Sequence, residues 1–121
     1  MKAKQLANKI GKYLGSGHSR DVFDLGDGTV LKLPVSKGHG ERVNRSEAQV
    51  WETSSMAERK RLAECELVRF CGRDCLIMEK VNPFSAHDRK PEWAHRHWDG
   101  AQVGRNLAGM IVRYDYARFI Y

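Results

Sequence analysis

The residues able to do chemistry fall into two groups. Between Leu14 and Leu33 the chain reads LGSGHSRDVFDLGDGTVLKL, with Gly15 and Gly17 around Ser16 and a single lysine, Lys32, beyond an Asp27-Gly28 turn. Glycines at 15 and 17 let backbone N–H groups approach a ligand closely, because no Cβ holds the chain away, and such a turn suits phosphate. In a strand Val30 and Lys32 share a face, so an apolar contact and an ammonium point the same way. Taken singly, the glycines equally suit a plain hairpin, and Lys32 reads more readily as a solvated strand lysine. The second group is His95, His97 and Asp99. Their alternation on a strand would project two imidazoles and a carboxylate to one side, with His87 as a fourth ligand, a set that binds zinc or ferrous iron. Asp99 also has the chemistry for acid or base work, although Asp99-Gly100 reads more readily as the start of a turn. No close second pair fixes a metal geometry, and histidines in a basic segment are ordinarily solvated, so no transition metal is expected.

These groups must be carried by local structure. Leu6, Ala7 and Ile10 at helical spacing predict a short amphipathic helix over 3–10, ended by Gly11. A first strand over 12–14 runs into the glycines. Val22 to Leu25 and Thr29 to Leu33 follow as strands joined by Gly26-Asp27-Gly28, the hairpin signal with the clearest mechanism, and Pro34 stops the third strand. Residues 35–43, with two glycines and mixed charge, read as a loop. Asn44 then reads as an N-cap, and Arg45 to Glu52 as a helix carrying Glu47, Val50 and Trp51. Ser55 with Glu58 forms a second start signal, a capping box, which interrupts the helix at Thr53-Ser54 and offers Met56, Leu62 and Ala63 to the core. Glu66 to Phe70 and Cys75 to Val81 are further strands, joined by Gly72-Arg73-Asp74. Gln102 to Asn106 and Met110 to Tyr114 form a final pair joined by Leu107-Ala108-Gly109.

Length allows one domain, 1–121, with a real core. Hydrophobic residues at 41% and charged residues at 30% describe an ordinary globular chain. No apolar run approaches the roughly 18 residues that cross a bilayer, so no membrane is expected and the cytoplasm is the default location. Cys65, Cys71 and Cys75 match no zinc spacing and are expected as free thiols. The net charge is +6, but Lys and Arg are scattered, with only Arg59-Lys60-Arg61 as a compact run. Nucleic acid is therefore not an expected partner.

The ordered set of glycine-rich turn, hairpin, strand lysine, helix and closing strand resembles the amino-terminal lobe of the protein-kinase-like superfamily. The resemblance implies an α+β fold: an N-lobe over 1–81 with a five-stranded antiparallel sheet and helix C, a shortened linker over 82–94, and a catalytic-loop-like β-hairpin over 95–121, the helical C-lobe being absent. It implies ATP and Mg²⁺ as ligands. Gly15, Ser16, Gly17, Val22 and Val30 would enclose the nucleotide. Lys32 would contact the α and β phosphates and pair with a helix glutamate, Glu47 or its runner-up Glu52, which cannot both face the sheet. Met78 would be the gatekeeper, and backbone groups of Glu79 and Val81 would meet the adenine edge. His95-Arg96-His97 stands where the family has His-Arg-Asp, Gln102 where it has a metal-binding Asn, and Asp115-Tyr116-Ala117 where it has Asp-Phe-Gly. Arg20 occupies the place of a frequent third glycine, where its guanidinium could meet a phosphate or stiffen the loop.

By this resemblance Asp115 keeps the metal carboxylate, while His97 and Gln102 replace the base and the second metal ligand. Neutral His97, or Asp99, could still accept a proton. The missing platform for an acceptor costs more, because orientation is worth roughly 7–11 kcal/mol of barrier. The expected function is therefore a catalytically degenerate, pseudokinase-like module that binds a nucleotide, a protein partner, or both. A minimal phosphotransferase or autokinase using Lys32 and Asp115 is one alternative, and a structural interaction protein with an empty pocket is another. Trp93, Trp98, Tyr114, Tyr116, Phe119 and Tyr121 either close the core or form a partner surface for a host protein or a second copy of the chain. Compact kinase-like chains of this kind are similar to small phage and bacterial proteins, which makes a host-directed role part of the same expectation.

Overall fold

A computed structural model describes residues 3–17, 19–35, 38–85, 87–95 and 102–117. The fold is mixed α+β and is built on two antiparallel sheets. Helix α1 (Ala3–Lys9) leads into strands β1 (Tyr13–Ser16), β2 (Arg20–Asp24) and β3 (Thr29–Pro34). Helices α2 (His39–Thr53) and α3 (Met56–Arg59) come next, then strands β4 (Cys65–Phe70) and β5 (Arg73–Glu79). Strand β6 (Val81–Pro83), helix α4 (Glu92–His95) and the pair β7 (Gln102–Asn106) and β8 (Ile111–Asp115) complete the described elements. The larger sheet has the order β1-β2-β3-β5-β4 and the smaller one β6-β7-β8.

The hairpin signals act as expected. Gly26 and Gly28 take φ of 78° and 87°, which a side chain would resist, and Asp24 and Asp27 accept the turn N–H groups of Gly26 and Thr29. The β1–β2 pairing carries an irregularity between Tyr13 and Gly15, so β1 lies over 13–16 rather than 12–14 and takes Gly15 and Ser16 into the strand.

Residues 35–43 are not all loop, and Asn44 is not an N-cap. Helix α2 begins at His39, with Gly38 at φ 106° before it. Gly40, which reads as loop, serves a close approach: a Cβ there would lie 2.6 Å from the Ser19 carbonyl oxygen and 2.7 Å from Pro34 Cβ. Asn44 is fully buried mid-helix, where its amide donates to the carbonyls of Lys32 and Asp74 at 3.2 and 2.8 Å. The interruption at Thr53-Ser54 and the Ser55–Glu58 capping box are as read. Met56, expected in the core, is 78% exposed, because α3 is a single turn with no buried residue. Arg73 and Asp74 belong to β5, the turn being Cys71-Gly72, and β5 stops at Glu79 so that Val81 starts the second sheet. Met110 lies outside β8.

One core cluster joins the sheets: Val30, Leu76 and Met78 of the larger sheet meet Ala48 of α2, Leu62, Ala63, Cys65, Val112 of β8 and Tyr116. A second, of Leu6, Leu25, Leu31, Cys75 and Ile77, lies on the opposite face under α1. The three thiols are free, and burial pushes those of Cys65 and Cys75 up to about 11. Among the described residues no helix is long and apolar enough to cross a membrane.

Candidate functional site

Between the glycine-containing hairpin of β1 and β2, strand β3, the start of α2 and the smaller sheet lies a cavity of about 850 Å³. Cavities of this size hold small-molecule ligands. Gly15, Ser16, Gly17, Val22, Val30, Lys32, Met78, Glu79, Val81, Gln102 and Asp115 all line it. The strand period explains the convergence: Val30 and Lys32 share one face of β3, and Arg20 and Val22 share the facing side of β2.

Lys32 is buried, and its ammonium donates to Glu47 Oε1 at 3.1 Å and to the Tyr114 carbonyl at 2.5 Å. Glu47, completely buried on α2, takes the expected place, while Glu52 is exposed. The other oxygen of Glu47 accepts the Tyr116 N–H at 2.8 Å. Burial alone would raise the Glu47 pKa. The charges of Lys32 and Arg20, with the Tyr116 N–H, outweigh it and hold the carboxyl below the usual glutamate range. Burial pushes Lys32 down from the usual lysine value, against the pull of Glu47.

Arg20 lines the same cavity. Its side chain, only 8% exposed, turns inward and pairs with Glu47; Nη1 also donates to Asn44 Oδ1 at 3.1 Å, and Nη2 to Asp115 Oδ1 at 3.3 Å. One carboxylate is thus shared by two cations, and the second cation spans to the carboxylate expected for metal. From sequence the strand starts at Val22 and Arg20 falls in the glycine loop, so neither its facing nor its partners, which lie on α2 and at the end of β8, were anticipated. Asn44 was missed for the same reason.

The glycine turn is less open than its sequence suggests. The Gly17 N–H donates to the Arg20 carbonyl at 2.8 Å and closes the hairpin, and Ser16 Oγ donates to Asp21 at 2.6 Å. The N–H of Gly17 is therefore already bonded. At the other end, the Glu79 N–H is bonded to the Glu64 carbonyl at 2.9 Å, which leaves the Glu79 carbonyl as its backbone group for a ligand. Phe84 N–H bonds the Val103 carbonyl, and the alternation of an antiparallel ladder then turns the N–H and C=O of Val81 away from β7.

Gln102 and Asp115 are opposite each other across the β7–β8 ladder, close enough for their side chains to converge. Both side chains carry oxygen donors of the kind Mg²⁺ takes, and one oxygen of Asp115, whose side chain is 44% exposed, also accepts from the buried Arg20 guanidinium at 3.3 Å. His97 and Asp99 lie outside the described residues, as do Arg96, Trp98, Phe119 and Tyr121. His95 ends α4 rather than standing in a strand, so the alternating ligand set is not extended at that residue. Among the described residues no cluster of His, Cys, Asp or Glu could hold a metal ion. Of the aromatic residues, Tyr116 closes the core, and Trp93 packs under the guanidinium groups of Arg61 and Arg113 at 5.1 Å from each. Comparison with family models, with curated proteins and with solved structures gives no match for this chain.

Proposed function

We propose that this chain is a kinase-like, catalytically degenerate module that binds a nucleotide in the cavity between its two sheets. The observation that carries the reading is the buried Lys32–Glu47 pair at 3.1 Å, set between a strand and a helix at the wall of a cavity whose far side presents Asp115. The sheet order β1-β2-β3-β5-β4, with α2 packed against it, supports a kinase-like amino-terminal lobe. Val22, Val30 and Met78 supply apolar walls for a base, and the Glu79 and Val81 backbone supplies its polar edge. Lys32 and the neighbouring cations supply charge for phosphates. Phosphoryl transfer depends mainly on positioning and charge neutralisation, and here the carboxylate that would hold a metal is engaged by Arg20. A bound nucleotide is therefore held rather than turned over.

A ligand that binds only the folded state stabilises it by about 2.7 kcal/mol at a hundredfold excess over its Kd. Millimolar ATP is expected to raise the melting temperature, with no labelled phosphate transferred to the protein or released. An unchanged melting temperature with ATP, whether Mg²⁺ or EDTA is present, overturns nucleotide binding. Steady phosphate release that disappears in Lys32→Ala overturns the catalytic silence.

A further inference from the structure

The cavity holds a cation built into the chain at the position where a nucleotide site ordinarily recruits one from solution. Arg20 reaches Asp115 Oδ1 at 3.3 Å through Nη2, while its Nη1 is fixed by Asn44 and Glu47. An exposed arginine could swing aside for an incoming ion. Arg20 is anchored at two further groups on α2 and is only 8% exposed. We infer that the pocket takes a nucleoside polyphosphate free of divalent metal, the Arg20 guanidinium standing at Asp115 in place of the ion. This rests on the nucleotide reading above and adds the ionic form of the ligand.

Charge and geometry favour that form. Arg20 brings a guanidinium charge to Asp115 without any ion from solution. A dication at Asp115, whose side chain is 44% exposed, would sit beside a buried cation, and it would have to strip Arg20 of one carboxylate partner. A polyphosphate without metal faces no such conflict. Arg20, Lys32, Lys80 and the exposed Arg42 line the cavity against Glu79 and Asp115, with Glu47 buried behind the first two, which leaves positive charge in surplus for phosphate oxygens that carry no compensating ion. Arginine also keeps donors beyond those spent on its three partners, because its planar group carries five N–H bonds.

Calorimetric titration of the full chain with ATP, once in EDTA and once in excess Mg²⁺, tests this. The expected result is an affinity in EDTA equal to or tighter than that in Mg²⁺. An affinity that is tighter with Mg²⁺ overturns the inference and leaves nucleotide binding standing. Absence of ATP binding under both conditions overturns the nucleotide reading, and the inference with it. Arg20→Gly, which frees Asp115, is expected to make ATP binding stronger with Mg²⁺ than without. An Arg20→Gly protein that is folded by circular dichroism and binds ATP equally with and without Mg²⁺ also overturns the role given to Arg20. If that variant does not fold, the comparison on the unaltered chain decides the matter alone.

Discussion

Glu47 is a carboxylate without access to water, shared between Lys32 and Arg20. Removing one charge from such an arrangement strands the others, and breaking a buried pair costs about 3–5 kcal/mol. Glu47→Gln is expected to lose stability on that scale at neutral pH, read from the urea midpoint. The pH dependence has a definite sign. The folded pKa of Glu47 lies below its ordinary value of 4.5, so its contribution is complete above that value and is lost as pH falls through the folded one. The gap in stability between the unaltered chain and Glu47→Gln should therefore be constant near neutrality and narrow in acid. Asp24, Asp27 and Glu41 have lowered pKa values too, from hydrogen bonds each accepts, but they act in both proteins and cancel in the difference. A gap that stays constant well below 4.5 would mean that Glu47 is not held ionised by its neighbours.

Elements whose cause is local were legible in the sequence, and those whose cause is tertiary were not. Hairpin β2–β3 was readable because Gly26, Asp27 and Gly28 dictate the turn and the flanking strands alternate. The capping box at Ser55 was readable because both of its bonds lie within one turn. The first turn and a half of α2 was not. Gly38 and Gly40 lower helix propensity, and the reason for Gly40 is the backbone of Ser19 and Pro34 pressed against it, contacts invisible in a linear reading. The candidate site divides the same way: strand facing placed Val30 and Lys32, and the kinase resemblance Val22, while Arg20 and Asn44 acquire their partners only when α2 docks. Gly40→Ala turns this into a measurement. Propensity alone predicts a gain of about 1 kcal/mol for Ala in a helix, whereas overpacking against rigid backbone costs about 1–3 kcal/mol. With a Cβ 2.6 Å from Ser19 O and 2.9 Å from Pro34 Cα, the second effect is expected to win, lowering the urea midpoint. A raised midpoint would show that α2 can move off the sheet at little cost.

At the scale of the molecule, the cavity exists because two sheets are held at a fixed separation, and the tie that holds them runs through the chain after α3. Leu62 bridges to Arg113 of β8; the Ala63 N–H donates to the Arg113 carbonyl at 2.8 Å, and the Arg113 N–H donates to the Arg61 carbonyl at 2.8 Å. Tyr116 completes the tie, its backbone N–H on Glu47 and its buried hydroxyl donating to the Ala63 carbonyl at 2.7 Å, beside the Cys65 thiol at 3.0 Å. Tyr116→Phe keeps the ring, and with it the core contacts, but takes away the hydroxyl. The carbonyl it served still receives no water, and a buried acceptor left without its donor costs about 1–3 kcal/mol. Because that cost falls on the segment joining the sheets, amide exchange at Ala63 and Arg113 should accelerate more than exchange within the β3–β5 ladder, which follows global stability. Equal acceleration at both places would mean that the sheets open only when the whole chain unfolds, and that Tyr116 is one more core residue rather than the clasp of the cavity.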